Sequence, residues 1–265
     1  MFQGYQFISL ASFAGNSNYN SMQLSVEKRF SSGFTLTANY TWAKSLDNVP
    51  FANGAGGPAD GGSYVYPWYF ENADLLDRGP SDFDIRHRFV TSYVWQLPRL
   101  ARSNAVVRNV VGDWQLTGVL QLQSGLPMTV TAGKDQSQTG LGRDRAVLVG
   151  EPYGPGACQN TAPCVDYVNP KGFALPETGG FGNVGKGTLR APGMAIWDVG
   201  IFKNIPLREN LRIQFRAEFF NVLNRVNYKA PDQTNQTNNV SAGGFGSIRG
   251  ANDPRIGQLA LKIVF

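Results

Sequence analysis

His87 is the only histidine in the chain. It lies in the run Asp82-Phe83-Asp84-Ile85-Arg86-His87-Arg88, which places two carboxylates and two guanidinium groups beside one imidazole. A carboxylate such as Asp84 that orients a histidine is the beginning of a general base. A triad or multi-histidine metal site would, however, have to be assembled around His87 alone. We therefore read Asp82, Asp84, Arg86, His87 and Arg88 as a network of charges that satisfy one another where a strand begins. Asp74, Asp77, Asp82 and Asp84 lack the Asp-x-Asp-x-Asp-Gly spacing that gathers calcium ligands from one short turn. They are expected to form a solvated acidic loop, and no metal or cofactor site is expected. Gly54-Ala55-Gly56-Gly57 and Gly243-Gly244-Phe245-Gly246 precede no helix, so they read as flexible loops and not as phosphate cradles. Cys158 and Cys164, six residues apart in a loop-like segment, suit a small disulfide-closed loop in an oxidising compartment, or else a pair of free thiols. Nothing in these groupings points to catalysis, and no enzymatic activity is expected.

The elements that carry the remaining polar residues are more informative. From Asn210 to Asn224 the chain alternates at period two. Leu211, Ile213, Phe215, Ala217 and Phe219 point one way, and Arg212, Gln214, Arg216 and Glu218 the other. In a soluble sandwich the apolar face would pack inward. In a membrane barrel the faces invert, apolar to lipid and polar to a wet lumen. There Arg212, Arg216 and Glu218 would line a path for an anionic solute, or pair with side chains on adjacent strands. A charge facing lipid at mid-depth costs about 2–4 kcal/mol, which places these residues inward under either reading.

Composition narrows the choice. Charged residues are only 16% of the chain, while 31 Gly, 17 Phe, 10 Tyr and 5 Trp favour turn-rich, aromatic-rich β structure. No apolar run approaches the roughly 20 residues of a membrane helix, a test that barrels evade because half of each strand is polar. The net charge of +5 is spread along the chain without a basic block, so no nucleic-acid partner is expected. Met1-Phe2-Gln3-Gly4 opens with neither a basic nor an apolar leader segment, which implies a cytosolic chain or a missing N-terminus.

The pattern recurs over Tyr19–Phe30, Phe34–Lys44, Asp84–Pro98, Trp114–Val130, Met194–Leu207 and Pro254–Phe265, with a weaker candidate at Tyr5–Ser12. On Trp114–Val130, Gln121 and Gln123 join the polar, lumen-lining set. Ser31-Ser32-Gly33 reads as a three-residue hairpin loop with Gly33 at the left-handed position. Connections alternate between short (31–33, 99–112, 208–209) and long (45–83, 131–193, 225–253). Structureless loops of that length argue against a compact soluble domain. They are the expected asymmetry of an outer-membrane barrel, with short periplasmic turns and long external loops. Tyr40 and Trp42 at the loop end, with Tyr93 and Trp95 toward the turn end, fit two interfacial aromatic girdles. The expected fold is all-β, an antiparallel transmembrane barrel segment of about seven or eight strands.

Several runs carry a family resemblance. They are Tyr19-Asn20-Ser21-Met22-Gln23-Leu24-Ser25-Val26-Glu27-Lys28-Arg29-Phe30, Asn39-Tyr40-Thr41-Trp42-Ala43-Lys44-Ser45, Arg78-Gly79-Pro80-Ser81-Asp82-Phe83-Asp84-Ile85-Arg86-His87-Arg88-Phe89-Val90, Trp114-Gln115-Leu116-Thr117-Gly118 with Ser124-Gly125-Leu126-Pro127, and Phe215-Arg216-Ala217-Glu218-Phe219-Phe220-Asn221-Val222-Leu223-Asn224. In this order they resemble the C-terminal barrel portion of TonB-dependent outer-membrane receptors of the Oar-like group, which carry carboxypeptidase-regulatory-like N-terminal domains. The resemblance implies energised uptake of a large or scarce nutrient. It implies as partners outer-membrane lipid, the barrel-assembly machinery, the rest of the receptor with its plug and, through that, TonB. Such receptors have about 22 strands, so residues 1–265 would be a C-terminal part without plug or early strands. Phe265, closing an alternating strand, would be the aromatic terminus read by the assembly machinery. Two other readings stand beside this one: a complete eight-stranded barrel with a structural or adhesive role, and a soluble carbohydrate-binding β-sandwich.

Overall fold

The computed structural model describes residues 15–30, 33–48, 71–98, 110–140, 144–158, 164–208, 211–231 and 238–264. The expected strand Tyr5–Ser12, the glycine run at 54–57 and Phe265 lie outside them. Seven long strands dominate: β1 (Ser17–Arg29), β2 (Phe34–Asp47), β3 (His87–Gln96), β4 (Trp114–Gln123), β5 (Met194–Arg208), β6 (Leu211–Phe220) and β7 (Ile256–Val264). They pair in chain order as an antiparallel meander, and among the described residues the sheet is open between β1 and β7. Helix is confined to Ala73–Leu76 and one 3-10 turn at Pro170–Gly172 among the described residues.

The register brings the alternating faces together. One row runs Phe34, Trp95, Leu116, Ile201, Ala217, Leu259; the next runs Leu36, Tyr93, Gly118, Val199, Phe219, Gly257. Every apolar set read from the sequence thus falls on one face, because directly paired residues share a side of the sheet. Glycines on that face are covered by neighbouring rings. A Cβ on Gly118 would meet the Tyr93 ring at 2.4 Å, and one on Gly257 the Phe219 ring at 3.2 Å. Gly33 takes φ +75° in the first hairpin, as its turn requires.

Strand ends depart from expectation for local reasons. The fourth strand stops at Gln123 and not at Val130. Gly125 packs so closely on the Ala191 carbonyl that a Cβ would sit 1.7 Å from it, and Pro127 and Met128 then pair with Arg190 and Leu189 outside the sheet. The third strand begins at His87 and not at Asp84, whose carboxylate is engaged elsewhere. The second runs on to Asp47, beyond Lys44.

The sequence suggested structureless long connections, but the described residues of two of them are folded. The described residues of segments 124–193 and 221–255 build a lobe beyond the strand ends, with two-residue ladders joining Val147–Leu148 to Phe173–Ala174 and Val165–Asp166 to Ser247–Ile248. Met128, Val130, Ala146, Val168, Phe173, Val184, Leu189 and Phe245 form its apolar core, in which Phe173 and Phe245 meet edge to face at 5.7 Å. The reading of Gly243–Gly246 as a flexible loop is therefore corrected. Phe245 is buried, and the Gly246 carbonyl accepts bonds from the Tyr167 and Val168 amides at 3.2 and 2.9 Å. Gly246 has φ +81°, and a Cβ there would lie 2.3 Å from the Val168 oxygen. Glycine at this position serves tight packing, which a composition-based reading cannot see.

Candidate functional site at the loop side mouth

At the loop end of β2, residues of the polar face disappear from solvent while those of the apolar face do not. Ala43, Ser45 and Asp47 are buried, whereas Trp42 and Lys44 are exposed. The lobe therefore closes over the polar side of the strand ends. Three ion pairs hold it there. Each joins a carboxylate of segment 47–84 to a cation of segment 145–190: Asp47 to Lys186, Asp77 to Arg145 at 2.5 Å, and Asp84 to Arg190 at 2.5 Å. The Asp77 and Arg145 side chains are 3% and 5% exposed, so neither charge has water to fall back on.

Asp84 is the most heavily used of these carboxylates. It accepts from the Ser45 amide at 2.7 Å and from Arg190, with Arg86 3.6 Å away. Arg190 also donates to the Asp84 carbonyl at 2.7 Å. Its own backbone is gripped by two tyrosines. The Arg190 amide donates to the Tyr153 hydroxyl at 2.7 Å, and the Tyr167 hydroxyl donates to the Arg190 carbonyl at 2.6 Å. Burial, reinforced by Tyr153, pushes the Tyr167 hydroxyl well above its ordinary pKa.

The expected strand-start network is thus divided. Asp84 and Arg86 belong to the Arg190 cluster. His87 does not, because its Nδ1 lies 2.8 Å from the Tyr40 hydroxyl, with the two rings stacked on the apolar face. Arg88 points to the opposite face, between Thr41 and Gln123. Adjacent strand residues face opposite sides, so one network could not hold both. No imidazole base oriented by Asp84 is formed. The solvated acidic loop is likewise corrected: Asp77, Asp82 and Asp84 are buried, at 3%, 2% and 2% exposure, and cations distant in sequence reach Asp77 and Asp84. Arg190, Arg145, Lys186 and Asp47 went unnoticed in the sequence, where nothing local links the pairs. Cys158 and Cys164 form a disulfide, with the Cys158 amide donating to Asp166 at 2.6 Å.

The polar face of the sheet carries the expected lumen-lining residues together. Gln121 donates to Gln123 at 3.1 Å. Arg216 donates to Gln214 at 2.7 Å, Gln214 donates to Asn204 at 3.0 Å, and Gln258 donates to Glu218 at 2.7 Å. The Arg216 guanidinium also lies 5.8 Å from the Phe202 ring centre, and Arg212 is exposed nearby. Each of these bonds involves a side-chain amide, so this part of the face is a hydrogen-bonded polar wall. Cations break the rule of faces at Lys28 and Lys44 on the first hairpin and at Lys203 on β5. Lys203 sits in the apolar row between Trp114 and Phe215. It is at the turn end, where its ammonium donates to the Gly112 carbonyl at 2.5 Å and lies 5.0 Å from the Trp114 ring centre. Its detectable signal was a lone cation at an apolar position, Ile201-x-Lys203-x-Ile205.

An antiparallel meander of bilayer-crossing length, apolar on one face and polar on the other, with aromatic residues at both ends of the apolar face, is the wall of a membrane β-barrel. The chain belongs to the outer membrane beta barrel domain family, whose model matches residues 1–258. It is a protein of the bacterial outer membrane. No curated protein and no solved structure matches it. The family membership removes the soluble sandwich reading. That reading also required the aromatic face to pack on a second sheet, and among the described residues none covers it.

Proposed function

We propose that this chain is part of the wall and outer mouth of a TonB-dependent transporter for a large or scarce nutrient. The observation that carries this reading is the lobe. A folded cap docked by buried ion pairs onto the polar side of the strand ends suits a gated or ligand-reading mouth better than a bare pore. The Oar-like motif order supports the same assignment, and the open sheet leaves room for the remaining strands and plug. In this reading Arg212, Arg216 and Glu218 face the transport path, the polar wall is not catalytic, and TonB acts through the rest of the receptor. Phe265 serves insertion by the barrel-assembly machinery, pairing as an added strand whose aromatic end fixes register.

The test is uptake. Cells lacking this chain and cells lacking TonB are compared for uptake of a panel of iron chelates, cobalamins and oligosaccharides. A solute lost equally in both supports the proposal, and unchanged uptake across the panel in cells lacking the chain overturns it. The eight-stranded structural or adhesive barrel draws on the same lobe, which would then simply close the mouth. It predicts adhesion defects with uptake intact.

A further inference from the structure

Lys28, Lys44 and Lys203, on the apolar side of the sheet, differ in what receives their charge. At the turn end the Lys203 ammonium donates to the Val110 and Gly112 carbonyls at 3.3 and 2.5 Å, and that of Lys28 lies 5.6 Å from the Phe30 ring centre. Lys44 stands at the loop end, exposed, and no carboxylate, carbonyl or ring receives it among the described residues. A charge on the lipid side of a barrel is tolerated only near the interface, where it meets water or a headgroup.

Position along β2 says which of these Lys44 meets. From turn to loop the outward side reads Leu36, Ala38, Tyr40, Trp42, Lys44. Tyr40 and Trp42 form the aromatic belt that marks the boundary between hydrocarbon and water, and two more residues of strand carry the chain about 7 Å further out. That step passes from the belt to the headgroups of the external leaflet. Beyond it Leu46 is half-buried and pairs with Pro80, so Lys44 is the last exposed side chain of β2 on this side. Described strands flank it on both sides, with Asn20 of β1 directly opposite Lys44 and His87 of β3 opposite Trp42.

The groups around Lys44 are amides, an imidazole and a second cation. Asn20 donates to Asn18 at 2.7 Å, which leaves the Asn18 nitrogen and the Asn20 oxygen to a ligand. His87 is held at Nδ1 by the Tyr40 hydroxyl at 2.8 Å and keeps Nε2 for an outward bond. Further out Arg78 donates to the Asn16 side chain at 3.2 Å, bringing its charge to the same rim. The carboxylates Asp47, Asp77 and Asp84 are withdrawn from this surface, buried under the lobe and paired with Lys186, Arg145 and Arg190. Charge is thereby sorted across the strand end, carboxylates inward under the lobe and Lys44 outward, so the complement of this surface is an anion.

We propose that Lys44, with Asn18, Asn20 and His87, forms a site on the outer wall of the barrel for the phosphorylated saccharide headgroup of a glycolipid in the external leaflet. Lys44 takes the phosphate as a compact point charge with three donors. The two asparagines and His87 take hydroxyls of the sugar, which an amide serves as donor and acceptor at once. Those neutral groups are what favour a phosphorylated sugar over a bare glycerol phosphate, for which cations alone would suffice. The site rests on the membrane barrel and not on the receptor assignment.

The test is lipid binding by the whole protein, made from its native locus, extracted from the outer membrane in mild detergent and stripped of lipid. Binding is measured by native mass spectrometry and counted per folded barrel. The probes are bisphosphorylated lipid A, the same lipid after dephosphorylation, phosphatidylglycerol and inorganic phosphate. The native chain should bind bisphosphorylated lipid A at least about tenfold more tightly than any of the others, the size of one charge-assisted hydrogen bond. Lys44→Gln should lower that affinity about tenfold and Lys44→Arg should keep most of it. Lys28→Gln, on the same side of the sheet at the other leaflet, should leave it unchanged. Equal binding of the dephosphorylated lipid, or native affinity in Lys44→Gln, overturns the site. Equal binding of phosphatidylglycerol or of inorganic phosphate overturns the glycolipid assignment, leaving a site for any phosphate. If Lys44→Gln does not fold, the dephosphorylated probe on the native chain decides alone. Uptake is not read, so failure here and failure of the receptor reading are distinguishable.

Discussion

The sheet and the lobe solve the same problem, burying backbone and charge, in opposite ways. In the sheet, strands pair with their neighbours in fixed register, and side chains sort mainly by parity, with the amides and arginines on one face. In the lobe, two-residue ladders supply little regular pairing. Stability comes from a small apolar core and from charges far apart in sequence, such as Asp77 with Arg145 and Asp84 with Arg190. The sheet uses lipid as its apolar phase, whereas the lobe must make its own. One consequence is that substitutions should separate the two regions cleanly.

The largest effect is expected in the lobe. Asp77→Ala removes the carboxylate partner of the Arg145 guanidinium, which is 5% exposed, and should cost about 3–5 kcal/mol of lobe stability, the usual penalty for a broken buried pair. Limited proteolysis within 131–193 should accelerate while the heat-modifiable migration of the folded sheet is kept. Joint loss of both would show that lobe and sheet fold as one unit.

Next, Leu120→Arg, on the apolar face opposite Thr91 and Trp197, should cost about 2–4 kcal/mol in bilayer folding. Gln121→Arg on the polar face should be tolerated, and proteolysis of the lobe should not change once the barrel is folded. Equal cost at both positions would mean that the faces are assigned wrongly.

A smaller effect, about 2 kcal/mol by loop-closure entropy, is expected when the Cys158–Cys164 bond is removed by Cys158→Ser with Cys164→Ser. Amide exchange should rise around Val165–Asp166 and the paired Ser247–Ile248, with the sheet amides unchanged. If exchange is unaltered there, the bond does not support that ladder.

The smallest and most specific difference concerns Tyr167. Its pKa is raised by burial in the folded lobe, so an unfolded chain ionises it first, near the ordinary tyrosine value of about 10. The contribution is fully present below that value and is lost as pH rises through the higher folded-state pKa. Lobe protection measured at pH 9 and 11 should fall more in the native chain than in Tyr167→Phe. Identical profiles would show that ionisation of this hydroxyl does not load the lobe.

The hairpins, the faces and the side of each loop were legible in residues alone because strand alternation is a local property. Phe34, Leu36, Ala38, Tyr40 and Trp42 declare one side of β2 without reference to any other strand, and antiparallel neighbours then follow in order. Arg212, Gln214, Arg216 and Glu218 share one face of β6 for the same reason. Residues 124–193 gave no such signal: their two-residue ladders are too short for periodicity, and Gly246 looks like any flexible glycine until Val168 is packed against it.

The amino-acid sequence by itself determined an antiparallel, two-faced sheet with short turns on one side and long loops on the other, because period two and turn chemistry act within a few residues. Only the tertiary structure decided that the long loops fold into a cored lobe on the polar side of the strand ends. It also decided that Asp84 serves Arg190 while His87 turns to Tyr40. Those outcomes depend on pairs separated by up to 139 positions, Asp47 with Lys186 among them. Which cation reaches which buried carboxylate is fixed by desolvation and packing in space, and neither leaves a periodic trace along the chain.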